Sequence, residues 1–234
     1  MSSHTVDVGR GTRIRRLRRG SIWPRNAGAG ENAGMDTDHG TPDHVAGTPD
    51  TDSDASTPAP EPRTPTGSVE TTKAGPGLHL ARALHHPPTV VWDHLTDPTL
   101  LGGWYGTWTG EPSSGSVQLA MVEAPDGPGE CRIRRCERGH ALEVTLADPE
   151  GNAWQLDLGL AERPDGGTHL TFQQPLGGFE GIAAHVGPGW EYYLDRLAAS
   201  LDGRDVESVV WEAYWPHQRE HYAVGSPGRA DSSD

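Results

Sequence analysis

Downstream of Gly77 the apolar residues fall into two periods, one of two residues and one near 3.6, and the order in which these periods appear predicts the elements. Leu78, Leu80 and Leu84 share one face of an alternating stretch, which predicts a first strand over residues 78–84. Pro87-Pro88 stops it, and a proline at a first helical position favours a helix over residues 89–95. Asp97-Pro98 repeats the device, with Asp97 as N-cap and Pro98 as N1 of a short second helix that ends at Gly102-Gly103. After Trp104 the period becomes alternating: Val117, Leu119 and Met121, then residues 131–137 beyond a turn at Asp126-Gly127, then Leu142, Val144 and Leu146. Trp154, Leu156, Leu158 and Leu160 mark the clearest strand, and a turn at Pro164-Asp165-Gly166-Gly167 leads to a last one carrying Leu170 and Phe172. The pattern is apolar on one face and wet on the other, as in an antiparallel sheet covered on one side. The cover is a long helix opening at Pro188, in which Trp190, Tyr193, Leu194, Leu197, Ala198 and Leu201 form one stripe while Glu191, Asp195 and Arg196 take the other side.

Composition sets the limits of this domain. Between Asp36 and Pro76 there is no Leu, Ile, Met, Phe, Trp or Tyr, so nothing there offsets the entropy of ordering the backbone. The expected organisation is therefore a disordered arm over residues 1–76, a single domain over residues 77–222 and a disordered tail over residues 223–234. Charge is segregated along the same lines: residues 1–25 carry seven Arg against Asp7, residues 26–76 nine acids against two bases, and residues 77–234 23 acids against 10 Arg. An acidic domain repels phosphate backbones and anionic lipid, which argues against nucleic-acid and membrane partners for the folded part. The basic cluster Arg13, Arg15, Arg16, Arg18 and Arg19 has no apolar run after it, so it does not read as an export signal, and a cytoplasmic location is expected. The abrupt change to acidic low complexity suggests Met35 as the natural start, a point that the intact mass of the native protein tests. No run approaches the ~20 apolar residues of a membrane span.

The local phrases Val91-Trp92, Leu95-Thr96-Asp97-Pro98, Trp104-Tyr105-Gly106 and Gly187-Pro188-Gly189-Trp190-Glu191-Tyr192-Tyr193 stand in an order and spacing that resemble the activator-of-Hsp90-ATPase-like branch of the SRPBCC, or START-like, superfamily. The resemblance runs from about Gly77 to Tyr222 and implies an α+β helix-grip fold: a curved antiparallel sheet wrapped around a long C-terminal helix, with two short helices after the first strand. It also implies a groove or cavity between sheet and helix, commonly an apolar small-molecule pocket. Members of the superfamily do different things, so the fold alone does not name a reaction.

Candidate chemistry is sparse. No nucleophile elbow, phosphate-binding loop or dinucleotide fingerprint is present. His217-Gln218-Arg219-Glu220-His221 matches an inverted zincin pattern but lacks a downstream third ligand, so no metal and no cofactor is expected. Cys131 and Cys136, five apart on a strand, should point to opposite faces and stay as reduced thiols. The aromatic excess reads either as core filling or as the lining of a ligand site. On the second reading the candidate ligand-binding residues are Trp104, Trp108, Met121, Trp154, Phe172, His185, Trp190 and Tyr193. The function expected is non-catalytic binding of a small apolar or aromatic molecule. The alternatives are a chaperone- or stress-linked module that binds a protein partner, and a cyclase- or hydratase-like enzyme using an acid or base such as His185 in the same cavity.

Overall fold

A computed structural model describes residues 60–72, 75–147, 152–177 and 181–223 of the 234-residue chain. Its strands are β1 (Ser68–Thr72), β2 (Gly75–Leu84), β3 (Gly106–Thr109), β4 (Ser116–Met121), β5 (Ala124–Glu137), β6 (Ala141–Ala147), β7 (Ala153–Glu162) and β8 (Thr168–Pro175). Its helices are α1 (Pro88–Thr96), α2 (Pro98–Gly102), α3 (Ala183–Leu201) and α4 (Arg219–Ala223). Among the described residues the strands form one antiparallel sheet in the order β1-β2-β8-β7-β6-β5-β4-β3. Strands β3 to β8 run as a meander. Helices α1 and α2 carry the chain from β2, which pairs with the last strand, to the opposite edge.

The predicted start of α2 holds in detail: the Asp97 carboxylate accepts hydrogen bonds from the backbone N–H of Thr99 at 2.8 Å and of Leu100 at 3.0 Å. Helix α3 lies on the concave face of the sheet, with Tyr193, Leu194 and Leu197 fully buried among Leu78, Leu170 and Phe172. At about 1.5–3 kcal/mol for each large apolar side chain removed from water, burial along this seam holds the helix to the sheet.

Four expectations are corrected. The helix begins at Ala183 rather than Pro188, which sits inside it, because Ala183, Ala184 and Val186 are buried and packing extends the helix past its proline. The β4–β5 hairpin closes through Val122-Glu123, with Met121 opposite Ala124, so Asp126-Gly127 falls in an irregular stretch of β5. The folded part starts before Gly77: β1 pairs with β2 from Ser68 opposite His79 to Thr72 opposite Gly75. The polar side of α3 is covered, leaving Glu191 and Arg196 buried. Residues 1–59, including the Arg cluster and Met35, and the tail from residue 224 lie outside the described residues.

The cover on α3 comes from the two ends of the described chain. Residues 60–67 run beside the C-terminal tail, where Arg63 N donates to Ala213 O at 2.7 Å and Gln218 Nε2 to Arg63 O at 3.0 Å. Tyr214 and Tyr222 of the tail are buried against α3. Gly187 permits this approach, since a Cβ there would lie 2.4 Å from the Tyr222 ring.

Candidate functional site

Between the concave face of the sheet, α3 and the α1–α2 corner lies a cavity of about 170 Å³. The sheet contributes Val117 and Leu119 from β4, Leu142, Val144 and Leu146 from β6, and Leu156 and Leu158 from β7. Alternation places these side chains there, since on each strand the lining residues are two apart. Trp190 and Leu194, four apart on α3, close one wall, and Leu95, Leu101, Trp104 and Trp108 close another. No Lys, Arg, His, Asp or Glu is among the described lining residues.

A bulge corrects the reading of the cysteines. Ile133 faces Val144 and Arg135 faces Glu143, so β5 spends two residues where β6 spends one, and Arg134 has no partner in the ladder. The extra residue inverts the alternation beyond it. Cys131, Ile133 and Cys136 therefore stand opposite Leu146, Val144 and Leu142, and all six line the cavity. Cys131 is buried, and burial, aided by the charge of Glu130, pushes its thiol up to about 11. Cys136 is exposed and marks an opening of the cavity at the β5–β6 end. Arg134 is held on the outside by Glu143, Asp157 and the carbonyl of Val144.

The polar atoms of the lining are mostly occupied. Trp104 Nε1 donates to His94 O at 3.0 Å, Trp108 Nε1 to Thr96 O at 3.1 Å, and Trp190 Nε1 to Gln174 Oε1 at 2.7 Å. Thr96 Oγ1 donates to Trp92 O at 2.8 Å. Arg196, buried behind α3, donates from Nε to Trp104 O at 3.0 Å and from Nη1 to Tyr192 Oη at 2.9 Å, which ties the α2–β3 corner to the helix. Tyr105 differs from its neighbours. It lines the cavity, it is 7% exposed, and its hydroxyl makes no hydrogen bond to any described residue. Burial, with the nearby Cys131 and Glu123, drives its pKa well above the ordinary phenol value, so it stays protonated.

Four of the eight candidate residues meet at this cavity: Trp104, Trp108, Phe172 and Trp190. The other four stand elsewhere, each for a geometric reason. His185 precedes Trp190 by five residues, about 140° around a helix, and is exposed with its ring 5.3 Å from that of Trp215. Tyr193 lies behind Tyr105, edge-on at 4.9 Å, and its hydroxyl donates to Glu123 Oε2 at 2.6 Å. The Glu123 residue is exposed as a whole but its carboxylate tip is tucked in, and that burial raises its pKa against the opposing effect of the Tyr193 hydrogen bond. Met121 ends β4 and packs between Gly106 and Ala124, outside the lining. Trp154 keeps the parity of Leu156 but stands at the start of β7, past the cavity's end. Among the described residues no cluster of His, Cys, Asp and Glu could hold a metal ion, and His221 of the zincin-like phrase donates from Nε2 to Gly67 O at 2.8 Å. No helix among them is long and apolar enough to cross a membrane.

A curved antiparallel sheet gripping one long helix, with a cavity between the two, is the helix-grip architecture of the START-like SRPBCC superfamily. Within it the chain belongs to the activator of Hsp90 ATPase homolog 1-like family, whose model matches residues 85–202. Among solved structures, CalU16 from Micromonospora echinospora is similar at 22% identity with a TM-score of 0.53, over 69% of this chain and 96% of that one. DynU16, described as a putative protein in the dynemicin biosynthetic locus, is similar at 22% identity and a TM-score of 0.50; the match covers 56% of this chain and only 49% of DynU16. EF2215 from Enterococcus faecalis, a conserved protein of unknown function, matches at 18% identity and a TM-score of 0.52 over 67% of this chain and 87% of that one. At these identities the likeness is one of fold. No curated protein matches the chain.

Proposed function

We propose that this protein binds a small apolar or aromatic molecule in the cavity between sheet and helix, without catalysing its conversion. The observation that carries this reading is the cavity itself, about 170 Å³ walled by indole, aliphatic and thiol groups and opening beside Cys136. An apolar void of this kind gains free energy when a hydrophobic guest replaces poorly held water or empty space, and a well-packed interior would not leave it. The absence of a carboxylate or imidazole from the described lining residues favours binding over the cyclase or hydratase alternative, which needs an acid or base within reach of the guest. The likeness to DynU16, described as belonging to a biosynthetic locus, fits a protein that handles a small organic molecule.

Native mass spectrometry of the full chain purified from its source cells tests this without assuming a ligand. The expected result is a bound mass that denaturation releases as an apolar compound. An apo mass alone, persisting after incubation with small aromatic compounds that should enter a 170 Å³ cavity, would sink the reading.

A further inference from the structure

The cavity wall contains one polar feature that its neighbours do not satisfy. Every lining indole N–H has a protein acceptor, and the Thr96 hydroxyl donates to the backbone of its own helix. The Tyr105 hydroxyl alone among these donors has no hydrogen-bond partner among the described residues. It is fixed in place, because its ring is stacked on Trp190 at 5.7 Å, edge-on to Tyr193 at 4.9 Å and tilted against Trp104 at 5.6 Å. The ring lines the void beside Cys131, so a guest that supplies an acceptor gains a hydrogen bond from a preorganised donor that the other donors of the wall do not offer.

The same wall excludes charge. Among the described residues no cationic side chain lines the cavity to receive an anion, and the nearby Glu123 carboxylate sets a potential that repels one. Cations find no carboxylate among the described lining residues either. Size adds a third constraint, since an apolar cavity of about 150 Å³ takes benzene, and this one of about 170 Å³ leaves room for a ring and a small substituent. From these three features, and resting on the cavity reading above, we infer that the occupant is a neutral molecule whose enclosed part is one substituted aromatic ring or its aliphatic equal. It carries a carbonyl-type acceptor, as in a ketone, ester or quinone, that takes a hydrogen bond from Tyr105 Oη. A longer tail would leave by the opening beside Cys136.

Three probes of nearly one shape separate the parts of this claim: acetophenone, its hydrocarbon isostere α-methylstyrene, and benzoate. Titration calorimetry on the full-length chain should give binding of the first two and none of benzoate. In Tyr105→Phe, acetophenone should weaken by about threefold to tenfold, the span of one net hydrogen bond, while α-methylstyrene binds as before or slightly better. Equal effects of Tyr105→Phe on both neutral probes, or tight binding of benzoate, would overturn the Tyr105 assignment and leave the cavity reading standing. Failure of the wild-type chain to bind either neutral probe would remove both. Should Tyr105→Phe not fold, the infrared carbonyl stretch of acetophenone bound to the wild-type chain decides: a frequency below that in hydrocarbon solvent supports the bond, and one equal to it refutes it.

Discussion

At the scale of single residues, two thiols on one wall of the cavity differ sharply in what they can do. The Cys131 thiol, pushed up to about 11 by burial and by the charge of Glu130, holds roughly a hundredfold less thiolate near neutral pH than an ordinary cysteine. Cys136 is exposed at the opening. Brief treatment of the folded chain with iodoacetamide near pH 7.5 should therefore modify Cys136 and leave Cys131 intact, as read by peptide mass mapping. Equal labelling of both would contradict the burial described for Cys131. Because Cys136 lines the cavity, a bulky maleimide placed there should also slow the entry of a guest, whereas the small carbamidomethyl group should interfere less. The shared wall was not legible from the sequence: a spacing of five means opposite faces on a regular strand, and only the bulge at Arg134 returns Cys136 to the concave side.

At the scale of elements, α3 depends on close backbone approach as much as on its apolar stripe. A Cβ at Gly187 would meet three atoms of the Tyr222 ring between 2.4 and 2.7 Å, and that ring is fully buried with no room to retreat. Gly187→Ala should cost about 1–3 kcal/mol, the usual range for overpacking, despite the better helix propensity of alanine, and urea unfolding measures it. A stabilised variant would mean that the tail does not sit on this turn. Helices and strands themselves were largely readable, because Trp190, Leu194 and Leu197 recur at helical spacing and Leu156, Leu158 and Leu160 at strand spacing. The Asp97-Pro98 cap was equally plain. What the pattern did not reveal was the tertiary cover: Pro188 is a start signal by local rules but lies inside a helix that burial of Ala183, Ala184 and Val186 extends backwards. Half of the residues named as candidates reach the cavity for the same reason. Trp104, Trp108, Phe172 and Trp190 reach the cavity because their apolar bulk faces inward. Nothing in the composition distinguished Tyr105, whose hydroxyl has no hydrogen-bond partner among the described residues, from Tyr193, whose hydroxyl has Glu123.

At the scale of the whole molecule, one buried polar network joins the sheet, the gripping helix and both ends of the described chain. Arg82 of β2 reaches Glu191 at 2.6 Å and Asp195 at 3.0 Å on α3. Glu191, 1% exposed, also accepts from Thr66 N at 2.5 Å, Gly67 N at 2.9 Å and the Tyr222 hydroxyl, while Tyr214 Oη donates to Asp195 at 2.6 Å. Burial by itself would raise the Glu191 pKa, but the charge of Arg82 together with the hydrogen bonds from Tyr222 and Thr66 outweighs it and holds the carboxyl below its ordinary value. A depressed folded-state pKa fixes the sign of the linkage. The contribution of Glu191 to stability is complete above the unfolded value near about 4.3 and is lost as the pH falls through the folded value, where the carboxylate must take up a proton to stay buried. Glu191→Gln should accordingly lower stability near pH 7 by about 3 kcal/mol, the low end for a broken buried pair because Asp195 still holds Arg82. Below about pH 4.3 the variant should lose stability less steeply than the wild type, so the two curves converge on acidification. Urea unfolding between pH 3 and 7 measures both features, and curves that stay parallel through the acid range would show that Glu191 titrates alike in the folded and unfolded chains. Convergence would instead assign part of the acid sensitivity of the whole fold to the one carboxylate on which residues 66 and 67, β2, α3 and the tail all meet.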